Sequence, residues 1–349
     1  MDITNTEAVV LVDRFFASYP NVRAIVMCFT AHLGLGDPFS RCPRALLVRA
    51  LDSIARQQGH SEGGDPGILM GFEIEFVLLT PSGDGLAQEV VLAVEAAGVP
   101  VYHFHVEIAN QFEIALAPLA PLQAIDALMM AQEVIRTTCA ARGLRATTIP
   151  TPILGGKGPL SGCHLHLSVH PALGSTAFLA GALARLRTLC AFGLANYDSY
   201  TRVANDCAGE WVGWGTGNKD LPVCQVSPEH WEFRFLDATA NVYLFAAALL
   251  IAGLAGVRDG RVLKLDDCQI VPSALASEDA ASHLRPFGIT ERLPTTLAEA
   301  LATAAADEEL GNLIGPELLL RYIGVKEREV EFFGGMKDEE RREKLLGYF

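Results

Sequence analysis

The sequence predicts an α+β fold. Strand-like and helix-like patterns alternate irregularly along the chain, which favours α+β over the regular βαβ repeat of a parallel sheet. Half of the 349 residues are hydrophobic, which is enough for a sizeable core without cross-links. Five short segments place apolar residues on one face and carboxylate, imidazole or guanidinium groups on the other, as β-strands do: residues 71–77, 104–107, 111–115, 163–168 and 231–235.

The first part of the chain is expected to hold one strand and one helix. Residues 22–29 have the pattern of a strand, and Pro43 begins a helix with an apolar side that ends at Gly59. The glycine-rich residues 60–67 are expected to form a loop that leads into the first acidic strand. We therefore predict a short N-terminal segment at residues 1–64 and a main domain at residues 65–349.

Apolar residues at helical spacing predict further helices in the main domain. The clearest covers residues 122–142, with Gly143 as its stop. The most apolar stretch, residues 243–257, is shorter than the roughly 20 residues of a membrane span and indicates a buried helix. The other helices are predicted at about 88–97, 174–195, 239–256, 296–306, 316–332 and 337–347.

The polar faces of the five strands indicate a metal site. Alternation places Glu73 beside Glu75, His164 beside His166, and Glu232 beside Arg234. Carboxylates gathered on one sheet surface repel one another unless cations neutralise them. Oxygen ligands with one or two imidazoles suit Mg²⁺ or Mn²⁺ better than Zn²⁺. The alternative interpretation of a single such strand is an ordinary solvated face.

Other conspicuous side chains have simpler interpretations. His103 and His105 are expected in the cleft wall or behind the ligands rather than as ligands, and Cys163 is expected in the core. The eight cysteines form no Cys-x-x-Cys pair, which favours free thiols. A net charge of −14 without a Lys/Arg cluster makes nucleic acid and anionic membranes poor partners. The N-terminus lacks a signal-peptide pattern, so a cytoplasmic location is expected.

Five segments, in order, resemble motifs of the glutamine synthetases. The resemblance covers roughly residues 65–256 and implies their catalytic-domain fold, a curved antiparallel sheet backed by helices. Residues 71–76 (GFEIEF) resemble G-x-E-x-E-F, and residues 104–114 (FHVEIANQFEI) resemble E-x-x-x-G-Q-x-E-I, one residue short and with Asn110 in place of glycine. Residues 146–168 resemble A-T-F-M-P-K-P…G-S-G-M-H-x-H-x-S, residues 199–202 (SYTR) resemble N-S-Y-K-R, and residues 232–244 resemble E-x-R-x-P-D-P-x-A-N-P-Y-L.

The resemblance implies a role for each motif residue. One metal ion would be held by Glu75, Glu107 and Glu113, and the other by Glu73, His164 and Glu232. Arg202 and Arg234 would bind the carboxylate of the substrate, for which a guanidinium is well suited. His166 would lie beside the substrate.

Departures from the family pattern concern ATP, the amine and assembly. Lys219 alone remains in the stretch where the family places several phosphate-binding arginines, and His230 replaces a further one, so these two residues are the candidate ATP contacts. Ala208 aligns with the glutamate that binds ammonium, with Glu210 two residues further on. Only about 65 residues precede the first acidic strand, so we expect a reduced form of the family's N-terminal β-grasp domain and a smaller or more open homo-oligomer.

The resemblance therefore implies a carboxylate–amine ligase that uses Mg²⁺ or Mn²⁺ and ATP. It would act through an acyl phosphate on a glutamate-like acid and an amine other than ammonia, with Arg202, Arg234, His166 and Lys219 as catalytic residues. One alternative is a metal-dependent hydrolase, lyase or isomerase that does not use ATP. Another is a non-catalytic protein that keeps the fold.

Overall fold

A computed structural model describes most of the chain. The described residues are 43–57, 67–79, 86–108, 110–154, 158–170, 173–205 and 207–349, without the side chains of residues 277 and 278. The strand predicted at residues 22–29 lies outside them, and so does the domain boundary at residue 64. The division into a short segment and a main domain therefore stays a prediction.

A single mixed sheet of eight strands organises the described residues. Its order is β2-β3-β1-β5-β8-β7-β6, and β4 pairs with β1 at the side. The strands are β1 Ile68–Leu78, β2 Val101–Val106, β3 Gln111–Leu116, β4 Ala146–Thr147, β5 Cys163–Val169, β6 Trp214–Thr216, β7 Val223–Ser227 and β8 His230–Phe233.

Helices cover the apolar side of this sheet. The residues described here form twelve α-helices, so the predicted α+β fold is confirmed: α1 Pro43–Gln57, α2 Leu86–Ala96, α3 Pro121–Ala141, α4 Ser175–Ala184, α5 Leu186–Gly193, α6 Thr201–Ala204, α7 Val242–Arg258, α8 Ser277–Leu284, α9 Leu297–Ala306, α10 Glu308–Ile314, α11 Pro316–Gly334 and α12 Asp338–Leu346.

Helix α7 lies at the centre of the helical layer. It packs against α4, α1 and α5, and its residues from Leu244 to Leu250 are all buried. A Cβ on Gly181 of α4 would lie 2.4 Å from the carbonyl oxygen of Ala252, and one on Gly256 of α7 would lie 2.6 Å from Gly181 Cα. Glycine at both positions therefore lets α4 and α7 approach closely. In the described part of the chain, no helix combines the length and apolar character needed to cross a bilayer.

Two features differ from the sequence-based expectation. The pairing of β6 with β7 is parallel, whereas the other named strand pairs of the described sheet are antiparallel. Strand β6 has only three residues, too few to show an alternating pattern. The helix predicted at residues 174–195 is interrupted at Arg185, whose side chain pairs with Asp307 at 3.2 Å.

Candidate metal centre

Strand register brings the predicted polar residues onto one face of the sheet. Glu113 of β3 lies opposite Glu75 of β1, and Glu73 of β1 lies opposite His164 of β5. His166 of β5 lies opposite Glu232 of β8. The residues that alternate with them, including Ile74, Leu165 and Phe233, are fully buried on the other face. The core packing of one face therefore fixes the polar cluster on the other.

Glu73, His164 and Glu232 form one group that could hold a metal ion. One potential ligand atom from each lies within 4.8 Å of the others. His164 Nδ1 is 3.2 Å from Glu73 Oε2 and 3.3 Å from Glu232 Oε1, and all three side chains are buried. Two carboxylates and an imidazole suit a small divalent cation.

Glu75, Glu113 and His164 form a second such group. His164 Nε2 lies 3.6 Å from Glu75 Oε1, so both groups share this imidazole. The other oxygen of Glu75, Oε2, accepts hydrogen bonds from Gln111 Nε2 at 3.0 Å and from the backbone N–H of Gly162 at 2.8 Å. These two donors orient the carboxylate, and sequence analysis assigned neither of them a role.

Glu107 lies at the rim, just beyond the end of β2, and it is exposed. Among the described residues, neither of the two groups includes it. Its Oε1 contacts His105 Nε2, which is 3.5 Å from Glu113 Oε1. The third carboxylate of the predicted first metal site is thus connected to Glu113 through a histidine. Asn110, in the turn between β2 and β3, has φ of 63°, a left-handed conformation that explains the glycine of the family motif.

The protonation of the carboxylates differs within the cluster. Burial, together with the charges of Glu73, Glu75 and Glu107, raises the pKa of Glu113 from 4.5 to about 8. Burial would also raise the pKa of Glu73, but hydrogen bonds to His164 and His166 outweigh it and lower that pKa. The pKa of Glu232 is likewise lowered, because the charges of His164 and Arg234 outweigh its burial. A cation beside Glu113 would replace its proton.

The two arginines with predicted substrate roles lie next to the metal groups. Arg202 is buried and donates hydrogen bonds to the carbonyl oxygens of Leu236 at 2.8 Å and Arg234 at 3.0 Å. Arg234 donates from Nη1 to Glu232 Oε1. The Nε atoms of both guanidiniums are buried without a hydrogen-bond partner among the described residues. Each arginine therefore leaves its Nε donor unused, while Nη donors of Arg202 bond to two carbonyl oxygens and Nη1 of Arg234 bonds to Glu232.

The residues at the family's phosphate-binding positions are Lys219, Cys224 and His230, and they carry less positive charge than the arginines of the family pattern. Lys219 is exposed and acts on Glu113 and Glu232 only through its charge. Burial, and then the charge of His166, lowers the pKa of His230, whose Nε2 lies 3.0 Å from His166 Nδ1. Cys224 lies opposite Glu232, and burial raises the pKa of its thiol. His166 also places Nε2 3.0 Å from Glu73 Oε1.

A cavity of about 540 Å³ opens beside the second metal group. Its polar lining includes Glu75, Glu107, His164, Arg202 and Arg234. Ile108, Ile153 and Leu160 give it apolar walls, and Asp198 and Arg341, paired at 2.6 Å, lie in its lining as well. Sequence analysis missed Asp198 and Arg341, because they are 143 residues apart and belong to no motif.

The fold and the two carboxylate–imidazole groups define a protein that could bind divalent cations on the polar face of its sheet. A family model described as the catalytic domain of glutamine synthetase matches residues 80–344. The chain belongs to the glutamine synthetase family of ligases, as its motifs indicated.

Curated relatives agree with this assignment. Protein fluG of Emericella nidulans is 33% identical over 342 residues, which cover 89% of this chain and 38% of fluG. The γ-glutamylpolyamine synthetase GlnA3 of Streptomyces coelicolor is 29% identical over 282 residues, 72% of this chain and 58% of GlnA3. The chain thus spans less than two thirds of each. A glutamine synthetase of Thermotoga maritima is 25% identical, with 85% of this chain and 74% of that protein covered.

Solved structures have the same fold. A crystal structure of a glutamine synthase homologue is 26% identical, with a TM-score of 0.72 over 90% of this chain and 76% of that one. A GmaS/ADP complex, at 24% identity, also has a TM-score of 0.72 and covers 89% of this chain and 78% of that chain.

Proposed function

We propose that this chain is a carboxylate–amine ligase that depends on Mg²⁺ or Mn²⁺ and on ATP. The observation that carries the proposal is the pair of carboxylate–imidazole groups that share His164 beside the cavity. The acid would be activated as an acyl phosphate, which the amine then attacks. Divalent cations held by these groups would neutralise phosphate charge during that transfer.

The chain's own residues would hold and orient the substrates. Glu73, His164 and Glu232 would hold one cation, and Glu75, Glu107 and Glu113 the other, provided that Glu107 turns inward from the rim. Arg234 and Arg202, which both line the cavity, would bind the carboxylate that does not react. His166, which lies between Glu73 and His230, would lie beside the substrate.

An amine other than ammonia is the proposed second substrate. Ala208, at the position of the family's ammonium-binding glutamate, is buried and offers no carboxylate. Glu210 pairs with Arg292 at 2.9 Å, so it does not replace that glutamate. The cavity of about 540 Å³ with apolar walls has room for an amine with a carbon skeleton. GlnA3, named as a γ-glutamylpolyamine synthetase, is a relative with such a substrate in its name.

The second candidate is a metal-dependent hydrolase, lyase or isomerase that does not use ATP. It is favoured by the arginines that line the cavity, because each already has partners in the protein. Arg202 bonds to two carbonyl oxygens, Arg234 to Glu232, and Arg341 to Asp198 and Asp338. With Lys219 and His230 as the remaining phosphate contacts, we expect weak ATP binding and little or no glutamine synthesis from ammonium.

Measuring ADP release tests the proposal. The protein with Mn²⁺ and ATP is incubated with glutamate and, in parallel, with ammonium or a panel of mono-, di- and polyamines. We expect ADP release above background with at least one organic amine and loss of that release in Glu73→Gln. Glu95→Gln, an exposed change on α2, should keep wild-type activity. Glutamine synthesis that is fastest with ammonium would contradict the amine assignment.

Calorimetric titration with ATP and Mn²⁺ separates the two candidates. Binding of ATP that requires Mn²⁺ supports the ligase. Mn²⁺ binding without ATP binding supports the ATP-independent candidate, and the absence of both contradicts either enzyme. For assembly and location we propose a homo-oligomer in the cytoplasm, and light scattering of the purified protein would measure its mass.

A further inference from the structure

His103 and His105 form a pair of imidazoles beside Glu113. Both lie on β2, two residues apart, so their side chains share one face of the strand. Their rings stack with centroids 5.4 Å apart and planes at 17°. Strand β2 is at the edge of the sheet within the described residues, and His103 is exposed. The pair is therefore accessible from solvent.

Register places this pair directly against the carboxylates. His105 lies opposite Glu113, and His103 lies opposite the small Ala115 of β3. His105 Nε2 is 3.5 Å from Glu113 Oε1 and contacts Glu107 Oε1. One ligand atom each from His103, His105 and Glu113 lies within 4.8 Å of the others.

We propose that His103, His105 and Glu113 bind a further metal ion of the Zn²⁺, Co²⁺ or Ni²⁺ type. Two imidazoles and one carboxylate form a donor set that these ions prefer, whereas the carboxylate-rich groups deeper in the cleft suit Mg²⁺ or Mn²⁺. Glu113 also belongs to the second metal group, so its carboxylate would be shared between that group and this site, which we call the rim site. The inference does not depend on ligase activity.

The geometry needs two adjustments, because His105 Nε2 must release Glu107 Oε1, which it contacts, and His103 must turn towards Glu113. Bonds of about 2.0–2.2 Å to a tetrahedral ion place ligand atoms roughly 3–4 Å apart. The separation of His105 and Glu113 is already in this range. The imidazole of His103 is exposed, so rotation about its side-chain bonds can bring it closer without disturbing the core. A three-residue set also leaves a position open for water or a substrate group.

The alternative is that the two histidines serve only as the cleft wall, with His105 bridging Glu107 and Glu113 by hydrogen bonds. Zinc titration of the full chain separates the two cases. The chelator-treated protein is saturated with Mg²⁺ and titrated with Zn²⁺ in a calorimeter, or with Co²⁺ by visible absorption. We expect the His103→Gln/His105→Gln double variant to bind one equivalent fewer than the wild type.

His283→Gln is the matched control, because it removes an exposed histidine on α8, outside the sheet. It should bind the wild-type number of equivalents. Equal stoichiometry and affinity in wild type and double variant would overturn the proposal, and so would a wild type that binds no Zn²⁺. At least one Mn²⁺ ion, followed by electron paramagnetic resonance, should still bind to the double variant, because the group of Glu73, His164 and Glu232 includes neither histidine. Loss of all Mn²⁺ binding would mean that the histidines support the whole cluster and would also overturn the proposal.

A second measurement covers the case in which the double variant does not fold. His103→Gln alone leaves the contact between His105 and Glu107 intact. It should weaken Zn²⁺ binding at least tenfold, since even losing a residue that only orients a ligand costs about 10–100-fold. In wild-type crystals soaked with Zn²⁺, an anomalous scattering peak is expected between His103, His105 and Glu113. A peak at Glu73, His164 and Glu232 alone would refute the rim site.

Discussion

Glu75 has two tasks that a pair of substitutions can separate. Its Oε2 anchors Gln111 and the backbone of Gly162, while its Oε1 faces His164 and a prospective cation. Glu75→Gln keeps a carbonyl oxygen that can accept both hydrogen bonds, but it puts an amide where the cation needs a carboxylate oxygen. Glu75→Ala removes the anchor and the ligand together.

The expected magnitudes follow from these contacts. Hydrogen bonds to a charged acceptor contribute about 1.5–3 kcal/mol each, and a buried donor left without a partner costs about 1–3 kcal/mol. Removing the charge of Glu75 also relieves repulsion of Glu113, which offsets part of this loss. We therefore expect the free energy of unfolding to fall by about 2–4 kcal/mol in Glu75→Ala and by less than about 1 kcal/mol in Glu75→Gln.

Urea unfolding without metal and Mn²⁺ titration measure the two effects separately. Both variants should bind Mn²⁺ more than about tenfold more weakly, since each loses a ligand. Glu95→Gln serves as the control for removing a carboxylate elsewhere. Equal stability of the alanine and glutamine variants would refute the anchoring role, and unchanged Mn²⁺ affinity in Glu75→Gln would refute the metal role.

Three further predictions concern the neighbourhood of Glu75. In Gly162→Ala the new Cβ would lie 2.4 Å from Arg202 Nη2 and 2.8 Å from His164 Nε2, so Mn²⁺ titration should show weaker binding although circular dichroism stays close to wild type. The pKa of Glu113 is raised from 4.5 to about 8, so its contribution to the stability of the metal-free fold is fully present below pH 4.5 and is lost as pH rises through 8. The melting temperature should therefore fall more steeply between pH 6 and 9 in the wild type than in Glu113→Gln. Parallel slopes in the two proteins would contradict this. The Arg202→Lys variant has a single ammonium group instead of the forked guanidinium, so it cannot donate to both carbonyl oxygens. Urea unfolding should show a free energy of unfolding lower by about 1–3 kcal/mol. An unchanged free energy of unfolding would argue against a structural role for Arg202.

Local patterns were enough to predict the main elements of the fold. In β1, apolar and acidic residues alternate from Phe72 to Phe76, as expected for a strand with one polar face. Helix α3 has Gly143 just beyond its end, with φ of 70°. Strands β4, β6 and β7 and helices α6, α8 and α10 were missed. Strands β4 and β6 have two and three residues and helix α6 has four, too few to show a period. Strand β7 has five residues, and helices α8 and α10 have eight and seven, about two helical turns each.

The candidate site could be predicted only in part. Alternation placed Glu73 with Glu75 and His164 with His166, because one residue step always reverses the side of a strand. Sequence could not give the burial of Arg202, the rim position of Glu107 or the backbone donor of Gly162, since these depend on how distant segments pack. The assignments of individual residues to metal ions and substrates remain predictions.

His164 links the two metal groups through a single imidazole ring. Its Nδ1 lies 3.2 Å from Glu73 Oε2 and 3.3 Å from Glu232 Oε1, and its Nε2 lies 3.6 Å from Glu75 Oε1. A nitrogen that binds a cation must be free of hydrogen, and a neutral imidazole has only one such nitrogen. An ion bound at Nδ1 therefore leaves the hydrogen on Nε2, and the same ring cannot also be a ligand of an ion in the second group. The two ions should therefore bind with unequal, mutually dependent affinities.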